Sequence, residues 1–151
     1  MQTDTFKNNE LLTGISILAV LSHIGRLEIT KCLLIEPLLS YKTVLQKLKW
    51  KTTRISSIEE LILKDKVAFI DFNDRFYEYL LLSVNAIMLF QHLQLLSIED
   101  GVVTATNTFF DLENANLGNN AKSRIVAAEK LAKILEKGTA SDLYLSLRIE
   151  L

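Results

Sequence analysis

Leu11, Ile15, Leu18 and Leu21 recur at steps of three and four residues, which predicts a helix over residues 9–24, capped by Asn8 or Asn9 and stopped at Gly25. A second short helix is expected from Ile29 to about Ile35, because Pro37 disfavours helical geometry in Glu36. Leu38 and Leu39 lead into a third helix through Val44, Leu45 and Leu48, with a sharp corner expected at Pro37. Lys49 to Ser57 reads as irregular chain, and Ser57 is placed to cap a short helix carrying Glu59, Glu60, Leu61 and Ile62. Val67 to Ile70 is a brief apolar run that fits either a strand or a lead-in. From Asp71 the period is helical again, with Phe72, Phe76 and Leu80 on one face and an end either near Asn85 or near Leu95.

Leu95 to Ile98 and Val102 to Thr104 flank Glu99-Asp100-Gly101, and Asp-Gly between apolar runs predicts a β-hairpin. After an Asn-rich stretch, Ala121 to Lys137 reads as an amphipathic helix with Ala121, Ile125, Ala128, Ala132 and Leu135 inward and Gly138 beyond its end. Thr139 or Ser141 begins a last short helix through Leu143 and Leu147. The fold class expected is mainly α: a single small domain over 1–151, winged-helix-like, with a short β-hairpin and a C-terminal amphipathic helix. Its parts are N-terminal helices over 8–64, a long helix plus hairpin over 71–106, and C-terminal helices over 119–151.

Composition sharpens this picture. Hydrophobic residues make up 49% of 151 residues and charged residues 23%, an apolar balance for a domain with so much surface, so some apolar surface is expected to be covered by a partner or by a copy of the chain itself. The longest charge-free run, Tyr79 to Ile98, contains Asn85, Gln91, His92 and Gln94, which suits a helix buried in protein better than a membrane span. A net charge of -1 argues against a protein that coats nucleic acid, though not against a local basic patch. Cys32 stands alone and MQTDTFKNNE lacks an export pattern, so a cytoplasmic location is expected.

Chemistry is sparse. His23 and His92 sit within apolar helical stretches and read as core or interface residues. Neither zinc spacing nor a glycine-rich phosphate loop is present, and Asp71, Asp74 and Glu78 read as a cap and first-turn acids. No catalytic residue, cofactor or metal is expected. One charge feature remains: Lys42, Lys47, Lys49, Lys51 and Arg54, uninterrupted by any acid between Glu36 and Glu59, with Trp50 inside. It fits contact with nucleic-acid phosphates, contact with an acidic partner, or a solvated edge. The positive charges of the later helix, Lys122, Arg124, Lys130, Lys133 and Lys137, are diluted by Glu129 and Glu136 and fit an outer solvated face.

Several short blocks in order resemble a known family. Asn8-Asn9-Glu10 opens onto an apolar helix, and LLIEPLLSYKTVLQKL at Leu33 to Leu48 contains Pro37 with Leu38, then Thr43 and Leu45. FNDRF follows at Phe72 to Phe76, then a long helix, a short turn with extended flanks and a basic amphipathic helix ending near Gly138. The chain resembles the middle components of bacterial three-component ABC-ATPase systems, the group that includes the small third subunits of Lamassu-type anti-phage defence. It departs in carrying Glu10 where proline is commoner, and Glu36 where an apolar residue would suit the block. The resemblance implies a non-enzymatic adaptor whose partners are an SMC-like ABC ATPase and an effector, often a nuclease, with at most indirect or weak contact with DNA and none with membrane. It points to Pro37, Leu38, Leu39, Phe72 and Phe76 as positions around which interfaces are built. A winged-helix DNA-binding transcription regulator is the competing expectation, and it would need the basic segment on its groove-facing side.

Overall fold

Helix α1, Glu10–Ile24, is buried without interruption from Leu12 to Leu21, so it has no solvent face for that stretch and must lie inside the molecule. The computed structural model describes residues 10–151, and the caps expected at Asn8 or Asn9 lie outside them. Gly25, at φ +80°, ends α1 and turns the chain into strand β1, Arg26–Glu28. Two short helices follow, α2 (Ile29–Cys32) and α3 (Ile35–Leu39), then α4 (Lys42–Lys49), α5 (Ile58–Lys64) and a 3-10 turn over Lys66–Phe69. Helix α6, Phe72–His92, runs straight into strands β2 (Leu96–Glu99) and β3 (Val102–Ala105); α7 (Asn119–Glu136) and α8 (Ala140–Ser146) complete the chain. The architecture is mainly helical with one small antiparallel sheet, in a single small domain.

Around α1 the heaviest packing comes from α7 and α6, and α4 closes onto α7. Gly14 lies where α6 crosses: a Cβ there would stand 2.2 Å from Cε1 of the fully buried Phe90, so only glycine lets the helices approach this closely. The sheet order is β1-β3-β2. Leu27, Val103 and Ile98 share one row across it and turn the apolar face toward the core. Asp100 and Gly101 both have positive φ, 52° and 76°, as a two-residue hairpin turn with matching twist requires. The Gly101 carbonyl then accepts from Ile29 N at 2.8 Å, tying the hairpin tip to α2.

Several local expectations need correcting. Pro37 is not a corner; it sits inside the first turn of α3, where an N–H has no helical partner to lose, and the bend falls earlier at Leu33–Leu34. Lys66–Phe69 is a 3-10 turn, and α6 passes Asn85 without a break. Asp71 precedes α6 but makes no side-chain cap; its carboxylate pairs with Arg75 at 3.2 Å instead. The capping expected of Ser57 is present, its hydroxyl accepting from Glu60 N, and of the two starts expected for the last helix it is Thr139 that caps it, accepting from Asp142 N. Strand β1 is an addition: three residues are too few to show a period, and only their pairing to β3 defines them.

Two polar clusters sit within the apolar interior. Glu36 is fully buried and receives Arg124 through two bonds, Nη1 to Oε1 at 2.6 Å and Nη2 to Oε2 at 3.0 Å. Thr13 Oγ1 donates to the same Oε1 at 2.6 Å, and Arg124 Nη1 also reaches Ser16 Oγ at 3.3 Å. This explains the acid in an otherwise apolar block: Glu36 joins α3 to α1 and α7. It also moves Arg124, expected on a solvated face, into the core. The second cluster centres on Arg75, whose Nε donates to Pro37 O at 2.9 Å and whose Nη1 donates to Ala68 O at 2.9 Å. Its guanidinium lies 4.6 Å from the Tyr41 ring centre and 4.9 Å from that of Phe72. Burial lowers the pKa of Arg75 from the usual arginine value, while the Asp71 charge opposes the shift.

Candidate interaction surfaces

The inner face of α6 is fixed by Phe72, Phe76, Ser83, Ala86, Ile87 and Phe90. Its outer face is not polar. Tyr77, Leu81, Val84 and Met88 follow at steps of four, three and four residues, and all are exposed, Leu81 at 70% and Met88 at 60%. That spacing puts the four on one face of the helix, at the steps by which apolar residues recur along a helix seam. Asp74, Glu78, Asn85 and His92 flank it in solvent, so the stripe has an apolar centre and a polar rim, the usual anatomy of a protein contact. The charge-free run that suggested a buried helix is therefore buried on one side only. His92 and His23 are both exposed rather than in the core.

The apolar residues expected to bear on an interface lie beneath the surface. Pro37 is buried, Leu38 and Phe72 are fully so, and Leu39 and Phe76 are 1% and 2% exposed. Pro37 gives its carbonyl to Arg75, and Phe76 stacks edge-on with Tyr144 at 5.5 Å. The C-terminal segment is held against the start of α6 from outside. Tyr77 Oη donates to Glu150 O, and Glu150 N donates to Asn73 Oδ1 at 2.7 Å.

The basic segment divides. Lys47 pairs with Asp65 at 3.5 Å and Lys49 donates to Ser123 Oγ at 3.1 Å, so these two are engaged within the fold. Lys42 is exposed at the start of α4. Lys51 and Arg54 lie on the loop after Trp50, and that loop is laid along α7 by Lys130, whose ammonium donates to the carbonyls of Trp50 and Thr53. The result is a groove of about 450 Å³ lined by Lys51, Arg54, Lys130, Lys133 and Lys137 with Glu136 as its one carboxylate. Among the described residues Lys51, Arg54, Lys133 and Lys137 make no ion pair. The two basic stretches that the sequence presents separately are thus one surface.

Among the described residues, no group of three or more His, Cys, Asp or Glu side chains is placed to hold a metal ion, and no helix is long and apolar enough to cross a membrane. Cys32 is buried under the sheet-side helices, and burial pushes its thiol up to about 12.

A small, mainly helical domain that turns an apolar helix face and a basic groove outward is of the class of subunits that work through contacts with other chains. Residues 24–151 match the family of the ABC-three component (ABC-3C) system Middle Component 3, and the chain belongs to that family. It is an accessory subunit of an ABC-three component system and has its partners in that system. The match starts at the last residue of α1, so Asn8-Asn9-Glu10 lies outside it. Neither the curated proteins nor the solved structures contain a match to the chain.

Proposed function

We propose that this chain is a non-catalytic adaptor of the Lamassu kind, holding a nuclease effector against an SMC-like ABC ATPase in a cytoplasmic bacterial anti-phage complex. The observation that carries the proposal is the outward apolar stripe of α6, in which Leu81, Val84 and Met88 continue from Tyr77 and leave large side chains in water. Pro37, Leu38, Leu39, Phe72 and Phe76 serve this face from beneath, by fixing α3 and the start of α6 in place. In this division of labour nucleotide turnover belongs to the ATPase and cutting to the effector.

The regulator reading is weaker on a specific point. In a winged-helix protein the helix before the hairpin is the one that would face DNA. Here that helix is α6, whose exposed side carries Asp74, Glu78 and apolar residues, and whose one arginine, Arg75, is buried. Phosphates would meet no positive charge there.

The test is co-expression of the tagged chain with the ABC ATPase and effector of its own system, followed by affinity purification in high salt. Wild type is expected to retain at least one of them, because an apolar contact survives screening. Leu81→Glu with Met88→Glu, both on exposed positions, is expected to keep the circular dichroism melt of wild type and to lose that partner. Retention of the partner by the double variant would exclude α6 as the docking face.

A further inference from the structure

We propose that the groove between the Trp50–Ser56 loop and α7 binds a single-stranded nucleic-acid backbone, with Trp50 as a stacking platform for a base. Five cations and one carboxylate line the groove, in a chain whose net charge is -1. Such segregation concentrates positive potential in one concave place, and the four cations without an ion pair are free to meet phosphates. Lys130 donates to two backbone carbonyls of the loop and so ties it to α7 along the groove.

Trp50 decides the class of ligand. It stands at the head of the loop, one residue before Lys51 and outside the groove's own lining, and leaves 55% of its area in solvent, a costly position for the largest apolar side chain unless something covers it. A basic groove beside an accessible aromatic is how single strands are held without sequence preference: cations follow the backbone and the ring takes an unstacked base. A duplex is a poorer fit, because the cations line a concavity. An acidic peptide would use the same charges but has no need of the ring. The proposal stands apart from the adaptor reading, since either surface can work without the other.

Fluorescence anisotropy of the full-length chain against labelled oligo-dT, oligo-U, a mixed-sequence duplex and polyglutamate tests it across a salt series. The single strands are expected to bind best, with a log–log salt slope of roughly -3 for four phosphate contacts. Comparison of oligo-dT with oligo-U distinguishes DNA from RNA as the source of the strand. Trp50→Ala is expected to weaken single-strand binding roughly 5- to 150-fold and leave polyglutamate binding unchanged. Lys133→Gln with Lys137→Gln, at exposed positions in and just after the last turn of α7, is expected to reduce the slope by about 1.4. Circular dichroism of each variant establishes that the fold is kept. Preference for the duplex or for polyglutamate, absence of single-strand binding at low salt, or binding indifferent to Trp50 would each overturn the proposal.

Discussion

Removing Arg124 should cost the protein far more than removing an arginine from a helix surface. In Arg124→Ala the carboxylate of Glu36 keeps the Thr13 hydroxyl but loses two charge-assisted bonds at a site that is 0% exposed in the intact fold. Breaking a buried pair in this way costs about 3–5 kcal/mol, which for a chain of this length lowers Tm by roughly 6–20 °C. Glu36→Leu should be comparably harmful, because it strands the guanidinium and leaves Thr13 without its acceptor. The triple replacement Glu36→Leu, Arg124→Met and Thr13→Val removes every polar group that depends on the pair. Ser16 still bonds Leu12 O at 2.9 Å. The triple variant should therefore recover most of the loss and can match wild type. Urea unfolding at neutral pH, repeated in low and high salt, measures the series. The single-variant losses should be nearly independent of salt, since buried charges are little screened. A cost below about 1 kcal/mol for Arg124→Ala, or losses that add up in the triple, would refute a dry, coupled network.

Three further outcomes follow from the geometry. Gly14→Ala should destabilise by roughly 1–3 kcal/mol through its contact with Phe90, outweighing the ~1 kcal/mol of helix propensity it gains, and should cost less in a Phe90→Leu background; thermal melts of the four proteins check this. Cys32 should resist thiol reagents in the native chain. Its pKa is raised in the fold from 9.0 to about 12, so the unfolded chain sheds the proton first and this thiol should lower stability by about 1.4 kcal/mol per pH unit between pH 9 and about 12, a contribution that Cys32→Ala removes from the pH dependence of urea unfolding. Ser57→Ala deletes the hydroxyl that accepts from Glu60 N and should cost about 1 kcal/mol in urea unfolding, without disturbing the groove beside it.

The elements with a full period of their own were legible in the sequence. α1, α4, α7 and the Asp-Gly hairpin are found near their expected positions because several apolar repeats or a turn dipeptide define each of them. What failed did so for want of a partner's coordinates. Glu36 and Arg124 lie 88 positions apart, and neither shows alone that it is half of a buried pair. The three residues of β1 acquire meaning only from β3. Position along the chain also misassigned Pro37, since proline is equally at home before a helix and within its first turn. On α6 the apolar content was plain, but content does not tell an inner face from an outer one. The spacing of Tyr77, Leu81, Val84 and Met88 does carry that information once Phe72 and Phe76 are known to point inward. The basic groove was split between two segments, and the link is Lys130, whose carbonyl partners no sequence pattern marks.

A core built around the first described helix sets a timetable for synthesis. The shell that shields α1 includes α7, which begins only at Asn119 and therefore leaves the ribosome long after Ile24. At about 5–20 residues per second that gap lasts on the order of 5–20 s, during which Leu12 to Leu21 lacks the cover that α7 gives it. Until α7 is made, the most apolar helix of the chain therefore keeps one side open to water, a cost the finished fold does not show.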